Sequence, residues 1–365
     1  MRRNVLGIAF AVVGVLATGR LLASSPMSSP SKWQYPYHGK QFSLFVDESF
    51  HLVGKGSSRS FYNLMSERYL GSPVRLTANR KLSLEQALDS RRAELAALHD
   101  NHRKADVEVA VAAQVHSLIK TVIPHFSLER GFEFSNVVAR GERQCFLQSV
   151  LIAGLLQRMG MNAGVAMVYR NIQGTPTNNG HAVTLLKLPD GKDIIVDASE
   201  REAFAKHKGL FVDVRQSGYK YVEPIFQPNS VRIIGYLTTS NHKRLSTASV
   251  RGLDVAFLRS QFWYYRGERV VGGPLYTPKT ESALARSAKA FETSVRLCPS
   301  NPLAVYMLGR TYLAEGRIRD AKHLLQKASS LYAQFGWTPA GLKEALASIG
   351  ARGHFATHPL AYHPR

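Results

Sequence analysis

The run Gln144-Cys145-Phe146-Leu147-Gln148-Ser149-Val150-Leu151-Ile152-Ala153-Gly154-Leu155-Leu156-Gln157-Arg158-Met159-Gly160 reads as a helix that is apolar on nearly every side. Phe146, Leu147, Val150, Leu151, Ala153, Gly154, Leu155, Leu156 and Met159 cover its circumference, so it belongs inside a domain and ends at Gly160. Cys145 falls in its first turn. There the positive end of the helix dipole and the unpaired backbone amides favour a reactive thiolate at neutral pH. Taken alone, the segment favours the commoner role of an isolated cysteine, a small buried apolar group.

The continuation changes that balance. Val165-Ala166-Met167-Val168-Tyr169 predicts a strand, Thr175-Pro176-Thr177-Asn178-Asn179-Gly180 a turn-rich loop, and His181 to Leu188 a second strand that opens with histidine. Pro189-Asp190-Gly191 then reverses the chain into a third strand, Asp193-Ile194-Ile195-Val196-Asp197-Ala198-Ser199. A thiol at a helix N-terminus, a histidine and an acid on neighbouring strands are what nucleophilic acyl transfer requires: thiolate, general base and acid, and orienting carboxylate. Strand register decides whether they can meet. A two-residue turn at Asp190-Gly191 would pair position 184 with 197 and put Asp197 and His181 on opposite faces. A three-residue loop with Gly191 left-handed pairs Leu188 with Lys192 and Val183 with Asp197, making His181 and Asp197 diagonal neighbours roughly 7–8 Å apart on one face. The residue types predict the three-residue loop or another odd offset. Asp193, directly after the turn, is expected to face solvent, and Asn178-Asn179 to form a plain turn.

These residues resemble the transglutaminase-like family, a branch of the papain-like cysteine enzymes. The matching blocks are Gln144-Cys145 before the buried helix ending Arg158-Met159-Gly160-Met161-Asn162-Ala163-Gly164, then Gly180-His181-Ala182-Val183, then Ile195-Val196-Asp197-Ala198, within residues 106–200. The resemblance implies Cys145 as nucleophile, His181 as base and Asp197 as its orienter. It implies attack on an amide carbonyl to give a thioester, resolved by water (protease or deamidase, the preferred outcome) or by an amine (cross-linker). The tryptophans are Trp33, Trp263 and Trp337, so the upstream oxyanion-stabilising Trp of animal transglutaminases has no counterpart. The Cys145 amide is the default donor, with Gln144 the side-chain candidate.

Outward from this core, 365 residues with 45% hydrophobic and 20% charged content exclude a disordered or multi-pass membrane chain and suggest two folded units plus tails. Two cysteines indicate no disulfide framework. The 47 Lys and Arg against 26 Asp and Glu leave a net charge of +21, which favours anionic envelope surfaces, with no specific nucleic acid indicated. Met1-Arg2-Arg3, the uncharged Val5 to Gly19 and the Ser/Pro-rich exit form a signal peptide or anchor over 1–23, followed by a linker over 24–40, so export to a periplasmic or extracellular space is expected. Gln41-Phe42-Ser43-Leu44-Phe45-Val46 alternates like an edge strand, and Leu82–Arg103 and Asp106–Ile123 follow helical spacing, capped at Ser83 to Gln86. The expected fold is α+β: over 41–240, a transglutaminase-like (papain-like) core with an antiparallel sheet against the buried helix.

His51, His99, His102, His116, His125, His207, His242 and His323 lack ligand spacing and are read as solvated or hydrogen-bonded structural residues, so neither a metal nor a cofactor is predicted. Over 281–349, Leu308-Gly309-Arg310-Thr311-Tyr312, Gly316, Ala321, Leu325, Ala328 and Leu331 fall on a 34-residue pattern that also places Phe291, Ser294 and Leu297. They resemble one and a half tetratricopeptide repeats, or a plain helical hairpin, too short to stand alone and so expected to pack on the enzyme domain or a protein partner. Cys298 is read as free, and residues 352–365 as a flexible tail. Two functions remain: an exported cysteine acyl-transfer enzyme acting on peptide or protein amides, or a non-catalytic envelope binding protein on the same scaffold.

Overall fold

The computed structural model describes residues 31–54 and 56–350. The signal or anchor segment, residues 24–30 of the linker and the tail lie outside them; the rest of the expected linker is not a free connector, because Tyr35 and Tyr37 are buried in the core and Lys40 opens the first helix. The amino-terminal part is helical: α1 (Lys40–Val53), α2 (Ser58–Gly71), α3 (Leu84–Ala96) and α4 (Asn101–Val122). The strand expected over 41–46 is instead the start of α1, which buries Phe42, Phe45, Val46, Ser49 and Phe50. That spacing is one helical stripe, and six residues were too few to separate a period of 2 from 3.6. Ser83 and Gln86 close the expected capping box on α3, and Asp100 accepts from the Arg103 amide to start α4.

A short parallel ladder, β1 (His125–Phe126) with β2 (Glu142–Arg143), flanks α5 (Phe134–Arg140) and delivers the chain to α6 (Cys145–Arg158). Twelve of the fourteen residues of α6 are buried, and left-handed Gly160 follows its end, as the sequence predicts. Next come β3 (Asn162–Arg170), β4 (Pro176–Lys187), β5 (Asp193–Val196), β6 (Gly209–Val214), β7 (Gly218–Phe226), β8 (Ile233–Thr238), β9 (Arg244–Leu245) and β10 (Val250–Arg251). The segment Thr175–Gly180 is not a loop, because β4 already begins at Pro176.

The fold is α+β, and the buried helix α6 packs against the antiparallel strands β3 and β4 as expected, but the sheet is a closed barrel and not the papain-like core expected over 41–240. The strand order β6-β3-β4-β5-β8-β7 returns through the β6–β7 pairing, so six antiparallel strands close a barrel. Ala166, Val168, Val183, Leu185, Ile195, Leu210, Val212 and Val222 fill its interior. The alternate residues Val165, Met167, Ala182, Leu186 and Val196 join the helical core, the alternation a half-covered strand requires. The Leu188 amide donates to Lys192 O at 2.8 Å, and Lys187 pairs with Asp193. With Gly191 at φ 82°, the hairpin is the three-residue loop anticipated from Pro-Asp-Gly.

The carboxy-terminal helices are α7 (Val255–Glu268), α8 (Glu281–Leu297), α9 (Pro302–Ala314), α10 (Ile318–Phe335) and α11 (Ala340–Gly350), and from α8 onward each packs on its predecessor. Gly164 and Gly252 let the chain that leads into α7 cross β3 at backbone contact: a Cβ on Gly252 would lie 2.6 Å from the Gly164 Cα. Phe335 of α10 packs on Phe211 and Tyr219 of the barrel. Among the described residues, no helix is long and apolar enough to cross a membrane.

Candidate active site

One end of the barrel gathers the predicted residues. His181 shares the alternation of Val183 and Leu185 on β4, and Asp197 that of Ile195 on β5; the odd register therefore brings them to one face. His181 Nε2 lies 2.7 Å from Asp197 Oδ2. Asp197 is fully buried, and its other oxygen accepts from the Ser199 amide at 2.9 Å. Nε2 carries the proton in this contact, so Nδ1 is the ring nitrogen left for the thiol. The His181 ring also interacts with Cys145 by a hydrogen bond.

Burial opposes charge on His181, but the Asp197 carboxylate and the Cys145 sulfur outweigh it and push the imidazole up to about 10. Burial likewise works against ionisation of Asp197, yet the His181 and His207 contacts hold its carboxyl well below the usual range. The pair is thus an interaction between a partly exposed imidazolium, its side chain 22% accessible, and a fully buried carboxylate, in which each partner stabilises the other's charged form.

The sequence folds this way because α6 starts at Cys145 with a Gln144 N-cap that makes no side-chain capping bond. The first-turn amides therefore have no side-chain cap and are open to water or a ligand. Cys145 is only 4% exposed, and its thiol faces the Gly180 carbonyl at 3.8 Å. Ser149 fixes the helix to β4: its hydroxyl donates to Cys145 O at 2.7 Å and lies 3.0 Å from Ala182 O. The fully buried Gln144 side chain leaves both Oε1 and Nε2 without a protein partner. An unpartnered buried amide is costly, and Nε2 is free to donate to an oxyanion.

Other residues here were not legible in advance. Buried His207 Nε2 donates to the same Asp197 oxygen at 2.8 Å; it is a hydrogen-bonded histidine, as its class was read, but nothing in the irregular stretch around it pointed to the site. His116 Nε2 lies 3.3 Å from the Glu200 carbonyl. Tyr265 of α7 is buried, stacks near Phe132 and Phe146, and holds its hydroxyl 3.5 Å from the same Gly180 carbonyl that the thiol meets. Asp193 does not face solvent. It is buried at the opposite end of the barrel, where Lys187 Nζ lies 2.9 Å from each carboxylate oxygen and Tyr236 donates to it at 2.6 Å. Turn-adjacent position predicted exposure; closure of the barrel by β8 removed it.

His181, Asp197 and His207 place potential ligand atoms within 4.8 Å of one another, a donor set that could hold a divalent metal. Both imidazoles, however, reach one carboxylate oxygen at hydrogen-bond distance, which needs both Nε2 protons, whereas a metal bound at about 2.0–2.2 Å needs both removed. Cys145 and Cys298 are both free thiols. Comparison of the chain with protein-family models, curated proteins and solved structures returned no match.

Proposed function

We propose that the protein is a cysteine-dependent acyl-transfer enzyme acting on amide bonds, with Cys145 as nucleophile, His181 as general base and acid and Asp197 as its orienter, more a hydrolase than a cross-linker. The observation that carries this is the 2.7 Å His181–Asp197 contact, made by a three-residue turn beside a thiol at an uncapped helix N-terminus. In the proposed reaction the Cys145 sulfur adds to the carbonyl carbon, the oxyanion takes the Cys145 amide and Gln144 Nε2, and His181 gives its proton to the leaving amine. Water, deprotonated by His181, then releases the acid and restores the thiol.

The motif order and spacing support a transglutaminase-like core, and the packing of consecutive carboxy-terminal helices is compatible with a tetratricopeptide-type hairpin, a surface suited to a protein partner. Export is proposed from the sequence of residues 1–30, and a cytoplasmic signal from a reporter fused after Lys32 would defeat it.

Labelling with iodoacetamide, read by mass spectrometry at each cysteine, tests the assignment. Cys145 is expected to react far faster than Cys298, and to lose that advantage in His181→Ala. Equal rates at the two thiols would favour a non-catalytic scaffold.

A further inference from the structure

Two cations near the proposed nucleophile are held by backbone carbonyls rather than by salt bridges. Arg143, two residues before Cys145 on β2, is only 7% exposed. Its Nη1 donates to the Pro124 carbonyl at 3.2 Å, and its buried Nε has no partner. The adjacent Glu142 is occupied by Arg130 at 2.6 Å. Lys120, in the last turn of α4, gives its ammonium to the backbone carbonyl of Glu200 at 2.6 Å rather than to a carboxylate. Among the described residues, no carboxylate forms an ion pair with either cation.

Lys120 feels the charges of Arg143, Asp197, Glu200 and Glu202, so the two cations and the Asp197 carboxylate lie within electrostatic range, and Arg143, with its buried Nε unpartnered, is the cation left without a counter-charge. A guanidinium taken out of water without a counter-charge is costly, and its planar fork matches a carboxylate. Such a group is satisfied when a ligand supplies the anion.

We propose that Arg143 and Lys120 form a carboxylate-binding subsite of the acyl-transfer centre, and that its substrates are amides carrying a carboxylate near the scissile acyl group. This rests on the acyl-transfer reading. It narrows the substrate class to acidic peptides or peptides cut beside their carboxy-terminus.

The test compares iodoacetate with iodoacetamide at Cys145. In either, the sulfur displaces iodide and one S–C bond replaces one C–I bond; only iodoacetate brings a carboxylate. Relative to Cys298, Cys145 should prefer iodoacetate, and Arg143→Gln or Lys120→Gln should cut the iodoacetate rate about tenfold, the effect of one lost charge contact at a partly screened site, while sparing the iodoacetamide rate. Should Arg143→Gln fail to fold, the half-buried Lys120 carries the test.

An unchanged iodoacetate preference in Lys120→Gln, with Cys145 still fast towards iodoacetamide, overturns the subsite and leaves the acyl-transfer reading standing. A Cys145 slow towards both reagents overturns both. Protection from iodoacetamide by N-acetylalanine or by N-acetylglutamate α-amide tells a terminal from a side-chain carboxylate; protection by neither overturns the proposal.

Discussion

Cys145 and Cys298 are almost equally buried, 4% and 5% exposed, and both sit at a helix end, yet their surroundings oppose each other. Cys145 opens α6 and meets His181; Cys298 is the C-cap of α8 and lies 3.8 Å from the Tyr219 hydroxyl, which donates to Asp254. Burial, with a further push from Asp254, drives the Cys298 thiol up to about 11. A thiol at a helix C-terminus near a carboxylate stays protonated, whereas one at an N-terminus facing an imidazole has partners for its anion. Burial alone therefore does not set the two thiols apart; the sign of the surrounding charge does.

The largest effect that could break this contrast is a swap of the two sites. Cys145→Ala should remove the fast iodoacetamide label entirely and Cys298→Ala should leave it intact; loss of the fast label in the second variant would invert the assignment. Next, His181→Ala should slow labelling of Cys145 by roughly 10²-fold near neutral pH, the lower end of general-base contributions, with no effect at Cys298.

A third effect is on stability. Removing one partner of the His181–Asp197 pair should cost about 3–5 kcal/mol at pH 7, read by denaturant unfolding. The raised His181 stabilises the fold fully below the ~6.5 of an unfolded imidazole and loses that contribution as pH rises through about 10. The depressed Asp197 contributes above the ordinary ~3.9 and loses its contribution on acidification below it. The penalty of Asp197→Ala should thus shrink below about pH 4 and that of His181→Ala between about pH 6.5 and 10; an Asp197→Ala penalty that does not fall on acidification below pH 4, together with a His181→Ala penalty flat from pH 6.5 to 10, would refute the ion pair. The smallest effect expected is none: 1,10-phenanthroline should leave Cys145 labelling unchanged, and a chelator-sensitive rate would turn the His181, Asp197 and His207 cluster into a metal site.

Much of this site was legible because it is local. Gln144 to Asp197 spans one helix and two hairpins, and the residue types of Pro189-Asp190-Gly191 set the register before any tertiary contact does. What could not be read came from distant chain. His207 reaches Asp197 from irregular backbone, Tyr265 arrives from α7, and the barrel closes through β6, β7 and β8, whose individual strands the sequence does not mark within the 41–240 domain. The misreading at Gln41–Val46 has the same root: Phe42 and Phe45 are buried against Phe134 and Phe262, partners that no six-residue window contains. Asp193 is buried by Tyr236, forty-three residues downstream.

That tyrosine bears on how the barrel breathes. Around the ring most neighbours share several paired residues, but β5 and β8 are joined by a single pair, Asp193 with Ile233. The join is held instead by side chains: the Asp193 carboxylate takes the Tyr236 hydroxyl from β8 and the Lys187 ammonium from β4. Few backbone hydrogen bonds cross here, so local opening should begin at this clasp, and amide exchange at Ile233 should outpace that at Val183 or Val212. The clasp and the His181–Asp197 contact lie at opposite ends of the same strand pair, so the ring can open at one mouth while that contact at the other keeps its geometry.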